Sequence, residues 1–280
     1  MKGQRLTGWR KIAVALWDAP NDPQIFGILE LDATPALAFI EQARASKHRV
    51  TATHLVARAT ARALAAVPDL NVRLLGDRVI PRESVDVFVI TAVAQGHDLT
   101  GVKIASADRK SVYELADELG TRSARMKEGR DPDLARAKRT MEILPRPLLR
   151  VALRLGVWLA GTHGQHVPAL GLDASPFGSA MVSSVGTLGL PMGFSPLAWM
   201  YTVPLLVCVG EIADKPVAVH GRVEVRPVLP ITATIDHRYV DGSHLTRALA
   251  AFREYLASPA SFDASTEIST AVDAAVSASS

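Results

Sequence analysis

The residues best suited to chemistry lie in the stretch DHRYVDG at 236–242, which places a histidine, an arginine and an aspartate around a turn. An imidazole has an ordinary pKa of about 6.5, so a neutral His237 can accept a proton near neutral pH. A histidine at the end of a strand is also a common structural residue, and Asp241 before Gly242 is ordinary turn chemistry. The residues alone therefore indicate a candidate general base and leave a structural role open.

The elements on either side of this stretch predict a rigid position for the histidine. Residues 231–236, ITATID, alternate apolar and polar side chains, which is the period of a half-buried strand. Residues 245–256 carry leucine and phenylalanine at helical spacing, with Ser243 predicted to cap the first turn. Gly242 supplies the backbone freedom for the corner between them. His237 is therefore expected to leave the end of a strand rather than to hang from a mobile loop.

The full pattern D-H-R-x-x-D-G resembles the active-site motif of the dihydrolipoamide acyltransferases, the core subunits of 2-oxo acid dehydrogenase complexes. A related H-x-x-x-D-G motif serves chloramphenicol acetyltransferase, which has the same fold. The likeness covers most of residues 5–260. Further segments that match the family are GWRKIA at 8–13, PDLN at 68–71, ADRKSVYELA at 107–116, SSVG at 183–186 and VLPITATIDH at 228–237. The resemblance implies an α/β two-layer sandwich with a mixed β-sheet, of the chloramphenicol acetyltransferase type, that forms trimers.

The resemblance also implies roles for particular side chains. His237 would be the base that acts on the thiol of coenzyme A or of dihydrolipoamide. Ser183 would donate a hydrogen bond to the oxyanion, and Ser184 beside it is a competing candidate. The expected activity is acyl transfer between coenzyme A and a second, dihydrolipoamide-like thiol. No metal is implied.

Three further residues have supporting roles by the same resemblance. Asp241 would hold the turn by pairing with an arginine and would not accept the proton itself. Arg10 is the best-placed match for that arginine, across a one-residue gap. Arg238 follows the motif and is expected to be structural.

In the family, the active site lies in a channel between two subunits of a trimer, and trimers build larger cores. By this resemblance His237 and Ser183 would come from different chains, and a lipoyl group would be supplied only by another protein. Two alternatives stay open: a non-catalytic trimeric scaffold that organises partners or a membrane surface, and transfer to a small-molecule hydroxyl or amine.

Composition favours one large soluble domain over residues 1–260, followed by a tail at 261–280 that is predicted to be disordered. The chain has 280 residues, 48% of them hydrophobic, and a formal net charge of +3, which does not indicate nucleic-acid binding. The single cysteine, Cys208, excludes an internal disulfide and lies in an apolar run that predicts burial. Because the first residues lack the apolar core of a secretory signal, the predicted location is cytoplasmic.

Two apolar stretches require separate interpretation. Residues 174–210 carry no charge, but their glycines and prolines predict buried strands and loops rather than a membrane helix. At about 130–175 the sequence departs from the family pattern with a helical insertion. Within it, residues 145–161 predict an amphipathic helix whose arginines, Arg146, Arg150 and Arg154, recur every four residues. This helix could contact an anionic membrane or pack on protein, and protein packing is the favoured prediction.

Other elements follow from local pattern. A helix is predicted at 111–128, opened by a capping box of Ser111 and Glu114. A hairpin is predicted to turn near Gly221. The remaining predicted elements are helices at 5–18, 34–46 and 51–67, paired strands within 71–81, and strands at 25–33, 85–93 and 101–105.

Overall fold

The structure is a computed structural model, and it describes residues 22–75, 77–93, 98–127, 145–167, 175–198 and 200–263. The strands are β1 Gln24–Asp32, β2 Val72–Leu75, β3 Arg78–Pro81, β4 Val87–Val93, β5 Asp98–Ile104, β6 Ala180–Ser184, β7 Leu205–Val209, β8 Ala213–Val219 and β9 Arg222–Asp236. The α-helices are α1 Thr34–Ala45, α2 Ala52–Ala66, α3 Val112–Lys127, α4 Arg146–Val157 and α5 Gly242–Ala257.

One large mixed sheet organises the described chain. Its strands lie in the order β1-β9-β7-β6-β4-β5, with β8 paired to the first half of β9. The β4–β6 and β6–β7 pairs are parallel and the other pairs are antiparallel. Strands β2 and β3 form a separate two-stranded hairpin. The first residues of β4, β6 and β7 therefore lie at the same end of the sheet, along the strand direction, as the last residues of β9.

The main core lies between this sheet and the helices on one of its faces. Strand side chains such as Val89, Val182 and Ile231 belong to the same buried cluster as Leu55 of α2 and Leu115 of α3. Apolar residues recur at helical spacing in the helices, and alternate residues of the central strands, such as Val182 and Val207, face this cluster. The predicted α/β two-layer sandwich with a mixed sheet is confirmed.

The opposite face of the sheet is covered by loop rather than by helix. Met181, Leu206 and Cys208 form a second buried cluster there, against Phe177 and Tyr201. Cys208 is 2% exposed, as its apolar run predicts, and burial raises the pKa of its thiol.

Strand β9 continues through Pro227 and Pro230, where the sequence suggests that a strand would be interrupted. A proline has no N–H to donate to a ladder, but its carbonyl still accepts. The Pro227 carbonyl accepts from the Ala33 N–H and the Pro230 carbonyl from the Gly210 N–H. One strand of 15 residues thus joins the predicted hairpin at Gly221 to the strand that precedes His237.

The insertion contributes helix α4 and a π-helical turn at 158–162. The turn is buried at Ala160 and Gly161, whereas Leu148, Val151, Leu155 and Trp158 form a stripe more than half exposed. No helix in the described ranges is long and apolar enough to cross a membrane. Packing of this stripe on protein, in preference to a membrane, stays a prediction.

The two ends of the predicted domain have different outcomes. The predicted opening helix at 5–18 lies outside the described residues, as does 264–280. Residues 261–263, assigned from sequence to the tail, pack against the domain: Asp263 is 3% exposed and accepts a hydrogen bond of 2.6 Å from the Tyr255 hydroxyl. The packed chain therefore reaches at least residue 263.

Candidate active site

His237 occupies a turn that is fastened to the sheet on both sides. Strand β9 ends at Asp236, whose N–H donates to the Pro204 carbonyl just before β7. The His237 N–H donates to the carbonyl of Pro23, just before β1, at 2.9 Å. The backbone of the candidate base is therefore tied to the starts of two neighbouring strands.

Arg238 and Asp236 form an ion pair across the residue between them. The Arg238 Nε lies 3.0 Å from Asp236 Oδ1, and its Nη2 lies 2.6 Å from Oδ2. Asp236 is 6% exposed, and its hydrogen bonds raise the pKa of Arg238. The pair satisfies the buried carboxylate, and the His237 side chain between the two partners is exposed; no described residue hydrogen-bonds its ring. The structural role expected for Arg238 is thus to pair with the Asp236 carboxylate.

Asp241 is the N-cap of helix α5. Its Oδ1 accepts from the backbone N–H groups of Ser243, at 2.9 Å, and His244, at 3.0 Å. The backbone bond from His244 and the hydroxyl bond from Ser243 lower the pKa of Asp241 to about 2. The cap was predicted at Ser243, which is wrong: Ser243 lies inside the helix and donates to the cap, because Asp241 has the extended backbone that a cap requires.

The structure does not describe the predicted arginine partner of Asp241. Arg10 lies outside the described residues, so its pairing with Asp241 stays a prediction. Asp241 does have a described role, which is to fix the start of the helix that follows the histidine turn.

Ser183 and Ser184 lie side by side at the end of β6 but belong to opposite faces of the sheet. Side chains alternate along a strand, so Ser183 shares a face with Met181, which lies under the loop-covered side. Ser184 shares the helix-covered face with Val182. Both serines are partly buried.

The strand register separates Ser183 from His237 within one chain. Ser183 pairs with Cys208, and Cys208 pairs with Thr232 on β9. His237 lies five residues beyond Thr232, which is about 17 Å along the strand. The serine and the histidine thus lie at opposite ends of the strands. A site that uses both must therefore combine two chains.

A cavity of about 380 Å³ lies beside the histidine turn. We call it the turn pocket; Leu74 of β2, Thr162 of the insertion, Thr202, Asp236 and Arg238 bound it. The His237 ring is not among its lining groups, although both neighbours of His237 are. In the described ranges there is no cluster of three or more histidine, cysteine or acidic side chains that could hold a metal ion.

Comparison with known proteins assigns the chain to a family. The model of the 2-oxoacid dehydrogenases acyltransferase catalytic domain matches residues 2–134 and 174–262. The chain belongs to this family. The two matched segments are separated by 135–173, which includes helix α4, so this acyltransferase-family chain carries the helix as an addition to the shared domain.

Individual family members extend the comparison. The acetyltransferase component of the pyruvate dehydrogenase complex of Bacillus subtilis is 25% identical over 264 residues, which cover 91% of this chain and 50% of that protein. The chain therefore spans about half the length of this curated relative.

Solved structures share the fold. The dihydrolipoamide acetyltransferase of Azotobacter vinelandii, studied for the catalytic roles of a serine, a histidine and an asparagine, is 20% identical. It has a TM-score of 0.61 over 86% of this chain and 84% of that one. A cubic core of a pyruvate dehydrogenase multienzyme complex is 19% identical, with a TM-score of 0.61 over 93% of both chains.

Sequence reasoning singled out the histidine turn but missed two of its features. The Asp236–Arg238 pair was detectable in principle, since an aspartate that opens a turn commonly accepts from the residue two positions on, as Asp236 does here. The contribution of Thr162 to the turn pocket had no local signal, because the insertion reaches this end of the sheet only through the tertiary fold.

Proposed function

We propose that this chain is an acyltransferase that moves an acyl group between coenzyme A and a second, dihydrolipoamide-like thiol. The observation that carries the proposal is the exposed His237 on a turn fixed by Asp236, Arg238 and the capped helix α5. Family membership supports the reaction class, and the turn pocket supplies a cavity beside the base.

The proposed reaction begins with proton transfer to His237. A free thiol has a pKa of about 8.5, so only a few per cent is thiolate at neutral pH. Neutral His237 takes the thiol proton as sulfur attacks the carbonyl carbon of the acyl thioester. The new carbon–sulfur bond forms, the old one breaks, and the departing thiolate takes the proton back from the imidazolium.

Ser183 of a neighbouring copy would stabilise the oxyanion that forms on the carbonyl. The register supports an intermolecular arrangement, because Ser183 and His237 of one chain lie at opposite ends of the strands. The loop-covered face, to which Ser183 belongs, is the side on which such a neighbour would approach. Ser184, on the helix-covered face, is the weaker candidate for this role.

Residue spacing in a relative supports these roles. In the Azotobacter vinelandii enzyme, the serine precedes the histidine by 52 residues and the asparagine follows the histidine by four. Here Ser183 precedes His237 by 54 residues, and Asp241 follows it by four. A carboxylate at the last position accepts hydrogen bonds, as an amide oxygen does, but cannot donate them.

The proposal includes an assembly and a carrier. The chain would form at least a homotrimer, whose interfaces unite Ser183 and His237, and a lipoyl group would arrive on another protein. A cytoplasmic location is part of the same proposal.

Replacement of His237 by glutamine tests the assignment. Acyl transfer from acetyl-coenzyme A to free dihydrolipoamide should fall by about 10²–10⁴-fold, the usual contribution of a general base. His220 is an exposed histidine on the β8–β9 turn, remote from the site, with φ of 50°. His220→Asn is the matched control and should retain full activity, since asparagine tolerates this backbone conformation.

The scaffold alternative makes the opposite prediction. A wild-type chain that assembles normally but neither binds coenzyme A nor transfers an acyl group would refute the enzymatic proposal. If His237→Gln keeps its activity, the role of the histidine is refuted but the acyltransferase activity is not.

A further inference from the structure

A second cavity, of about 280 Å³, lies at the same end of the sheet as the histidine turn. We call it the basic pocket; Arg73, Arg82, Lys103, Gly164 and Ser179 are among the residues that bound it. Its cations come from β2, the β3–β4 connection and β5, so they are brought together only by the fold.

Two guanidinium groups in this pocket have unused donors. The Arg82 Nε donates to the Val72 carbonyl at 3.1 Å and its Nη2 to the Thr202 carbonyl at 2.7 Å. Its Nη1 and the Nε of Arg73 are buried without an acceptor in the described part of the chain. A buried N–H of a charged group that lacks an acceptor is costly, because the group has lost its hydration. The arrangement therefore favours a ligand that brings oxygen acceptors and negative charge.

Electrostatics agree with this geometry. Burial lowers the pKa of Arg82 to about 10, and the like charge of Arg73 acts in the same direction. Asp86 faces the pocket, but its Oδ1 already accepts from the Ser84 hydroxyl at 2.7 Å and the Ser106 N–H at 3.0 Å. Among the described residues that bound the pocket, the cations are Arg73, Arg82 and Lys103, and the carboxylates are Asp86 and an exposed Glu83.

The insertion is shaped around Arg73. Gly164 has a positive φ of 68°, and a β-carbon at this position would overlap the Arg73 Nη1. Glycine suits the backbone conformation, and a side chain at this position would require the end of the Arg73 side chain to move. This residue lies within 135–173, the part of the chain that the family model does not match.

The basic pocket and the turn pocket share their walls. On β2, Arg73 bounds the first and Leu74 the second; on the insertion, Gly164 bounds the first and Thr162 the second. The Thr202 carbonyl, beside the turn pocket, accepts from Arg82. An extended ligand could therefore place one end in each chamber.

We propose that the basic pocket binds a phosphate group of the thioester carrier, with Arg73 and Arg82 donating to its oxygens. The guanidinium fork suits phosphate oxygens, and the phosphates of coenzyme A lie at the opposite end from its thiol. This inference rests on the proposed function, since it places the thiol end of the same molecule in the turn pocket. Free diphosphate offers the same chemistry without the thiol arm, so the experiment separates the two sources.

Calorimetric titration of the full chain with coenzyme A, pantetheine and inorganic diphosphate tests the proposal. Coenzyme A should bind the wild-type chain more tightly than pantetheine. Arg73→Gln should weaken coenzyme A binding by about tenfold or more, the loss expected for one charge-assisted hydrogen bond. Pantetheine binding should not change. Gly164→Ala, which displaces Arg73 without removing its charge, should have the same selective effect.

Arg78→Gln is the matched control. Arg78 is an exposed arginine on β3, in the same hairpin, and bounds neither pocket. It should leave all three affinities unchanged, and thermal unfolding of each variant reports whether the hairpin remains folded.

The outcomes distinguish the two proposals. Equal affinities for coenzyme A and pantetheine, or equal losses for both in Arg73→Gln, would overturn the phosphate site while leaving the acyltransferase proposal intact. Diphosphate binding that Arg73→Gln abolishes, without any coenzyme A or pantetheine binding, would support an anion site but overturn the carrier as its ligand. No binding of any of the three would overturn both.

Discussion

Arg238 contacts both carboxylate oxygens of Asp236, and the residue enclosed between them is His237. Each oxygen of the Asp236 carboxylate therefore already accepts a hydrogen bond from Arg238. Its function is to hold the turn, since the carboxylate that it engages is buried.

Loss of this pair should affect both stability and turnover. Arg238→Met would leave the Asp236 carboxylate with one backbone donor, and we expect the free energy of unfolding to fall by about 1–2 kcal/mol. Turnover should fall while KM changes little, because the turn that carries His237 loosens. Denaturant unfolding and steady-state kinetics measure the two effects. Arg238→Lys should recover part of each, and an equal loss in both variants would exclude a positional role for the fork.

The two adjacent serines provide an internal comparison. Ser183→Ala should reduce acyl transfer by about 10²–10³-fold, as for the loss of one oxyanion donor. Ser184→Ala should remain close to wild-type activity, since its side chain belongs to the helix-covered face. Single-turnover rates at saturating substrate are the appropriate measurement, and equal effects of the two substitutions would contradict the assignment by face.

Complementation tests whether the site is shared between chains. Chains with Ser183→Ala and chains with His237→Gln, each inactive alone, should regain activity when they are co-assembled. Random mixing should restore about a quarter of wild-type activity, since a quarter of the interfaces would unite an intact serine with an intact histidine. Activity can be measured after joint refolding or co-expression. A mixture as inactive as its components would mean that the two residues do not meet across an interface.

The Asp241 cap should respond to acid in a defined direction. Its folded pKa is lowered from 3.8 to about 2, so its contribution is complete above the higher value and is lost as the pH falls through the lower one. Asp241→Asn keeps an oxygen acceptor and should remove this pH dependence, whereas Asp241→Ala should lower the unfolding midpoint at neutral pH. Thermal unfolding across this range measures the difference between variants. A constant difference between wild type and the asparagine variant down to pH 2 would argue against the ionised cap.

The end of the packed domain can be tested at Tyr255. Tyr255→Phe removes the hydroxyl that donates to the buried Asp263 carboxylate, and we expect the free energy of unfolding to fall by about 1–3 kcal/mol. Glu254→Gln, at the exposed neighbouring position of α5, is the control and should have little effect. If both variants unfold alike, residues 261–263 contribute nothing through this contact.

Local pattern was sufficient for the elements that carry the site. The strand at 231–236, the capping box of Ser111 and Glu114 and the hairpin at Gly221 are all observed. The predicted half-burial of that strand is wrong, because Thr232, Thr234 and Asp236 are buried as well. The identity of the cap at α5 was not decided by residue type, because aspartate and serine both cap well and only the backbone conformation separates them.

Relationships between distant segments were not readable in the same way. The separation of Ser183 from His237 depends on how β6, β7 and β9 are aligned, which side-chain alternation alone does not specify. The basic pocket gathers Arg73, Arg82 and Lys103 with a glycine from the insertion, and each of these is unremarkable in its own segment.

The hairpin of β2 and β3 stands apart from the large sheet, and its first strand borders both the basic pocket and the turn pocket. Arg73 and Leu74 are consecutive residues of this strand, so their side chains project from opposite sides of it. In the proposed arrangement, the phosphate and the thiol of one carrier molecule would therefore contact opposite sides of β2.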